Sequence, residues 1–217
     1  EFGLYLPGRG GNLRLGVDAR GARRWLHEFS EMTARYRAGS MLYEMRDPAL
    51  LGAAGVLRIV ALAPRDLEGL LVRVELSGTT DPLNLFWAYG GVNGERGRRG
   101  GDIGTEAVPI REWFQLQPEF CRDNVYSLSG DTFLLQANRE QITGVFPAGS
   151  SLVLADANNW RSPEALLDAF ARSGDTTPEL PVLVGRAKLE PESSALLALE
   201  RLTDAAGVSR LTLEALP

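Results

Sequence analysis

The side chains that most often carry enzyme chemistry are scarce in this sequence. Its 217 residues include one cysteine, Cys121, one histidine, His27, and one lysine, Lys188. A lone cysteine excludes an intrachain disulfide, and one His with one Cys cannot supply the usual ligand sets of a zinc site. A Ser-His-Asp or Cys-His arrangement would have to use His27 as its base. That residue lies in the apolar stretch Trp25-Leu26-His27-Glu28-Phe29, which reads as a strand or its edge bearing a structural histidine. Cys121, between Phe120 and Arg122, reads as a half-buried small hydrophobe rather than a nucleophile. Excess positive charge is also missing: 23 basic against 28 acidic side chains give a net charge of -5, which offers no reason to bind nucleic acid. The sequence shows neither a signal-peptide pattern nor an apolar run of about 20 residues, so no membrane partner is expected. No methionine starts the chain, and a mature or trimmed form is expected.

Hydrophobic residues make up 44% of the chain and charged residues 24%, enough to bury a core and too balanced for disorder. With a single lysine, 22 of the 23 basic residues are arginine. Arginine is therefore a global choice here, and an Arg cluster says little about anion recognition.

The chain carries the punctuation of a β meander. Residues 12–17 alternate Leu13, Leu15 and Val17 against Asn12, Arg14 and Gly16, the period of a half-buried strand. Residues 31–37 place Met32, Ala34 and Tyr36 on one, inward face. Ala38-Gly39-Ser40 then turns the chain into 41–46, which predicts a hairpin. Asp47-Pro48 ends it, and 49–55 reads as a small-residue connection. Residues 56–63 and 70–77 predict an antiparallel pair, and 83–89 a strongly aromatic strand. Residues 108–120 read as irregular, and 125–137 as a hairpin about Ser129-Gly130-Asp131. Residues 141–146 and 151–155 read as a further pair around Pro147-Ala148-Gly149. One helix has clear boundaries: Ser162 can cap it, Pro163 suits its first position, and Gly174 closes the run 165–172. Residues 181–189 return to a strand, whereas 193–213 fit helix or buried strand. Ten to thirteen short strands with few helices predict one large antiparallel two-sheet β-sandwich, of supersandwich type, spanning 1–217.

Seven of the fifteen residues 90–104 are glycine, and a loop of that length is usually functional or disordered. Gly97-Arg98-Arg99-Gly100-Gly101 lacks the phosphate-binding GxxxxGK[ST] pattern and a following helix, and Gly8-Arg9-Gly10-Gly11 reads as a turn. The aromatic strand runs into this loop, bringing Trp87 and Tyr89 near Asn93, Glu95, Arg96, Arg98 and Asp102. Aromatic faces with amide, carboxylate and guanidinium groups are the ingredients of sugar recognition. The competing reading places Phe86 and one of Trp87 or Tyr89 in the core, with the loop packed on a neighbouring domain. Glu95, Asp102, Glu106 and Glu112 are the carboxylates in unusual context, but glycoside hydrolysis needs a pair about 5–9.5 Å apart, which spacing cannot establish. Asn158-Asn159-Trp160 reads as an ordinary turn.

Phe86-Trp87-Ala88-Tyr89-Gly90-Gly91-Val92, Gly100-Gly101-Asp102-Ile103-Gly104, Cys121-Arg122-Asp123-Asn124 and Pro181-Val182-Leu183-Val184-Gly185-Arg186-Ala187 together resemble a bacterial domain family of unknown function. Its members look like N-terminal β-sandwich pieces of large candidate glycoside hydrolases, ahead of a helical (α/α) barrel. The resemblance spans about 15–189 and carries over no catalytic residue, no metal ligand and no cofactor. It implies a non-catalytic accessory domain of a longer, carbohydrate-active protein, periplasmic or extracellular, whose partners are carbohydrate or the adjacent catalytic domain. The alternatives are a glycan-binding module using the aromatic strand and its loop, or a stand-alone two-carboxylate hydrolase. A galactose-mutarotase-like sandwich would match the fold, but that activity is associated with several histidines and only His27 is present.

Overall fold

The computed structural model describes residues 1–6, 8–95, 114–172 and 177–203. Within them, fourteen strands form two antiparallel sheets that face each other as a sandwich. In chain order they are β1 (Phe2–Leu6), β2 (Gly8–Ala19), β3 (Ala22–Trp25), β4 (Glu31–Arg37), β5 (Ser40–Arg46), β6 (Val56–Leu62) and β7 (Gly69–Ser77). They continue with β8 (Leu83–Val92), β9 (Val125–Ser129), β10 (Thr132–Ala137), β11 (Glu140–Val145), β12 (Ser151–Asp156), β13 (Pro181–Leu189) and β14 (Ser193–Arg201). One sheet has the order β1-β2-β8-β13-β12, with β3 also paired to β2; the other runs β4-β5-β6-β7-β14-β11-β10-β9. The ambiguous run from residue 193 is thus a strand through Arg201, while 204–213 lie outside the described residues.

Alternation explains the eight-stranded sheet. In β6, Leu57, Ile59 and Ala61 point into the sandwich while Arg58 faces water, and β7 repeats the pattern with Val72, Val74 and Leu76. The smaller sheet behaves differently because its central strands are covered on both faces. Leu85, Trp87 and Tyr89 of β8 enter the main core, and Phe86 and Ala88 enter a second core on the opposite side. That second core is roofed by Trp25, Leu116, Cys121, Trp160, Leu166 and Leu167, which come from the end of β3, short turns and a helix. A strand buried on both faces must be apolar throughout, which is why Leu83–Val92 reads as a nearly continuous hydrophobic run.

Glycines make room for the aromatic rings. Gly185 pairs directly with Trp87 and Gly16 with Phe86. A methyl group added at Gly185 would lie 2.2 Å from the indole, and one at Gly16 would lie 2.1 Å from the Phe86 ring. Each ring therefore lies across the backbone of its partner strand. On the outer face, Arg14 is held over the rings of Trp25 and Trp160 and donates to the Trp160 carbonyl at 3.0 Å.

Several sequence expectations change. Met32 and Tyr36 of β4 share a face as expected, but they point outward, 54% and 75% exposed. β4 is the edge of the wider sheet, and every one of its residues is exposed, so its alternation faces water on both sides. Strands β11 and β12 do not pair with each other. β11 joins β10 and β14, β12 joins β13, and the intervening Pro147–Ser150 turn, closed by a 3.0 Å backbone hydrogen bond, crosses between sheets. Alternation identifies a strand but not its partner. Gly8-Arg9-Gly10-Gly11 is not a turn; it opens β2, whose Gly10 lies under Leu4 and Leu6. The connection after Asp47 begins with a short helix α1 (Pro48–Leu51), capped by the Asp47 carboxylate, which also pairs with Arg24 at 2.6 Å. The helix capped by Ser162 is α2 (Pro163–Leu167), which tightens into a 3-10 turn over Asp168–Ala171 before the expected end of the run. His27 lies on the 3-10 turn Leu26–Glu28 and not on a strand.

Gly185→Ala is expected to cost about 1–3 kcal/mol and Trp87→Ala about 3–5 kcal/mol of unfolding free energy, through overpacking and a core cavity respectively. Urea denaturation of each variant measures both.

Candidate functional site

At one end of the sandwich the chain builds a polar cleft of about 450 Å3, lined in part by Asn93, Glu95, Glu119, Phe120, Arg122, Asp123, Asn124 and Asn138. Its first wall is the continuation of β8. The pairing of β2 with β8 is interrupted, with its register kept, where Gly11 and Gly91 take positive φ (95° and 78°) between Asn12↔Gly90 and Gly10↔Val92. The positive-φ backbone at Gly91 resets the alternation, and Val92 joins the core that Trp87 and Tyr89 occupy. Beyond it, Asn93, Gly94 and Glu95 clasp the start of β2. The amides of Asn93 and Gly94 donate to the Arg9 carbonyl at 3.3 and 3.2 Å, and the Arg9 amide donates to the Glu95 carbonyl at 3.0 Å. The Glu95 amide donates to the Asn93 side-chain oxygen at 3.1 Å, which holds both residues at the rim.

The second wall is the 3-10 turn Pro118–Cys121 and the three residues after it. Proline at its first position fits the turn, and the amides of Phe120, Arg122 and Asn124 donate to the carbonyls of Gln117, Glu119 and Cys121. Cys121 anchors this wall on β8: a side chain at Gly90 would meet its sulfur and Val182, and one at Gly91 would meet Leu116. The Gly90-Gly91 pair is therefore the seat on which the cleft wall rests. Asp123 follows in the left-handed region (φ 63°), as does Asn138 (φ 57°) in the β10–β11 turn across the cleft. Asp and Asn tolerate this conformation better than other side-chain-bearing residues.

Charge and burial set the chemistry. Glu95, Glu119 and Asp123 contribute three carboxylates, and the Arg122 guanidinium pairs with Glu179 at 2.7 Å. Arg9 is only 7% exposed and covers one face of Phe120, its guanidinium carbon 4.3 Å from the ring centroid; burial lowers its pKa from the ordinary value. Behind the cleft, burial pushes the Cys121 thiol up to about 12, so it is neither a thiolate nor accessible. Asn124 is 5% exposed, and its Nδ2 has no hydrogen-bond partner among the described residues.

The residues singled out from the sequence separate. Asn93 and Glu95 stand on the cleft. Trp87 and Tyr89 are fully buried: Trp87 packs on Phe146 at 4.8 Å, Tyr89 on Phe133 at 5.6 Å, and the Tyr89 hydroxyl donates to the Gly10 carbonyl at 2.7 Å. Neither ring offers a face to a sugar or a neighbouring domain, because a strand sandwiched between two cores has no solvent side. Arg96, Arg98 and Asp102, with Glu106 and Glu112, lie outside the described residues. Sequence reading missed Phe120, Asp123 and Asn124 as site residues. The signal was Asp-Asn directly after an apolar Phe-Cys step, a turn dipeptide next to a buried anchor. His27 stands apart from these residues on its own turn, its pKa lowered by desolvation first and by Arg14 second. Asn158 and Asn159 form the expected turn, with Trp160 buried in the second core. Among the described residues no three His, Cys, Asp or Glu side chains gather as a metal-binding group, and no helix is long and apolar enough to cross a membrane.

Native Cys121 is expected to resist an aromatic disulfide reagent at mildly alkaline pH and to react fully in denaturing urea. Its folded pKa lies above the ordinary thiol value, so the unfolded chain loses the proton first. The contribution of the neutral thiol is accordingly complete at neutral pH and declines as pH rises through the interval from about 9 to about 12, which alkaline urea titrations measure.

The crystal structure of a bacterial glucoamylase complexed with acarbose shares the fold, with a TM-score of 0.55 and 8% identity over 93% of this chain. The chain spans 28% of that glucoamylase's length. No curated protein matches. The family described as domain of unknown function DUF4450 matches residues 6–205, and the chain belongs to that family.

Proposed function

We propose that this chain is a non-catalytic β-sandwich accessory domain of a carbohydrate-active protein of the glycoside hydrolase type, whose polar cleft end faces carbohydrate or the adjacent catalytic domain. The observation that carries this reading is the fold match: nearly the whole chain corresponds to a little over a quarter of a larger glucoamylase. In that arrangement the sandwich is one part of a longer enzyme. Residue chemistry agrees with the assignment of turnover elsewhere, since the sole thiol is sealed behind the cleft in its protonated form. The cleft itself combines carboxylates, amides and one half-exposed aromatic ring, which suits contact with hydroxyl-rich surfaces more than nucleophilic chemistry.

A stand-alone glycan-binding module is the second reading, and the unpartnered Asn124 amide inside a formed cleft favours it. Under the leading proposal, the purified chain releases no reducing ends from starch, cellulose, xylan or bacterial polysaccharides. Turnover that disappears in Glu95→Gln or Glu119→Gln would overturn it. The gene is expected to continue for several hundred codons past Pro217, whereas a stop codon directly after it would favour the self-contained binder.

A further inference from the structure

The cleft has features that narrow what it can hold. Among the described lining residues carboxylates outnumber free cationic groups: Glu95, Glu119 and Asp123 stand against Arg122, which is itself paired with Glu179. Such a surface repels uronates, phosphates and other anions and presents acceptors to neutral hydroxyl donors. Its volume of about 450 Å3 falls within the roughly 300–1,000 Å3 of small-ligand clefts and admits a mono- or disaccharide unit.

Two observations beyond the acidic cluster point to a ligand. Asn124 lines the cleft while 5% exposed, and its Nδ2 donor lacks a partner among the described residues. Buried donors are usually satisfied, and of the orphaned donors among the described residues, which include the Trp87 and Trp160 indoles, that of Asn124 belongs to a residue lining the cleft. A sugar hydroxyl supplies an acceptor and, from the same oxygen, a donor to a neighbouring carboxylate. Phe120 is half-buried on the cleft, with one face already covered by Arg9, and its remaining surface is apolar in the way that sugar C–H faces require.

We infer that this cleft is a neutral-sugar subsite, in which Asn124 donates to a hydroxyl oxygen, Glu119 and Asp123 accept from hydroxyls, and Phe120 lies against the ring. The inference rests on the accessory-domain reading for its ligand class, and it moves recognition from Trp87 and Tyr89 to the wall that follows Pro118.

Calorimetric and NMR titration of the purified chain with maltopentaose, cellopentaose, xylopentaose, oligogalacturonate and chitosan pentamer tests it. At least one of the three neutral pentasaccharides is expected to bind, and oligogalacturonate is not. Asp123→Gly, which keeps the left-handed backbone while removing the carboxylate, and Glu119→Gln are each expected to weaken binding by about tenfold or more. Asn124→Leu removes the orphaned donor, so it should abolish binding with an equal or higher melting temperature. Near-UV circular dichroism of the three variants reports that the fold is kept. The inference is overturned if no neutral pentasaccharide binds, if oligogalacturonate or the chitosan pentamer binds in preference, or if binding survives all three substitutions. None of these outcomes touches the accessory-domain proposal, which stands or falls on turnover and on the length of the gene.

Discussion

Strand β8 is buried on both faces, and the rest of the molecule is arranged to make that possible. Trp87 and Tyr89 fill the sandwich, and Phe86 and Ala88 fill a second core under the outer layer of turns and α2. Rings of this size fit only because glycine stands opposite them, Gly185 at Trp87 and Gly16 at Phe86. Close packing leaves no slack for a methyl group at either position. The apolar outer face then has to be covered, which recruits Trp25, Leu116, Cys121, Trp160 and the α2 leucines from distant parts of the chain.

The cleft is a consequence of how that strand ends. Positive-φ glycines at Gly11 and Gly91 interrupt the ladder without changing its register, and the chain beyond them clasps β2 through the Arg9 backbone. Gly90 and Gly91 leave the backbone bare where Leu116 and Cys121 settle, so the opposite wall stands on the same strand. A rigid core thus positions a polar rim. With one histidine and one cysteine in the chain, that rim combines, among the described residues, carboxylates, amides, the Arg122 guanidinium and one phenyl ring, a composition suited to holding hydroxyls.

Much of the fold was legible because the period of two is a local property. β6, β7, β13 and the β9–β10 hairpin all lie where alternation and turn residues placed them, and Ser162 caps its helix as its position implied. Errors arose where partner choice or layer width mattered. The Met32–Tyr36 face has the right register and no layer to cover it, and β11 and β12 are neighbours in sequence that belong to different sheets. The candidate site was half legible: Asn93 and Glu95 were placed by the glycine-rich stretch they open, but Phe120, Asp123 and Asn124 lie more than twenty residues further on and reach them only through the Cys121 anchor.

By itself the sequence determined the class of the fold and the poverty of its chemistry, since strand periodicity, turn glycines and the count of titratable side chains need no knowledge of neighbours. Only the tertiary structure decided which aromatic residues are available. Trp87 and Tyr89 looked like a binding platform and are core, while Phe120 looked unremarkable and lines the cleft. The physical reason is that exposure depends on how many layers cover a strand, and that is settled by segments far away in the chain.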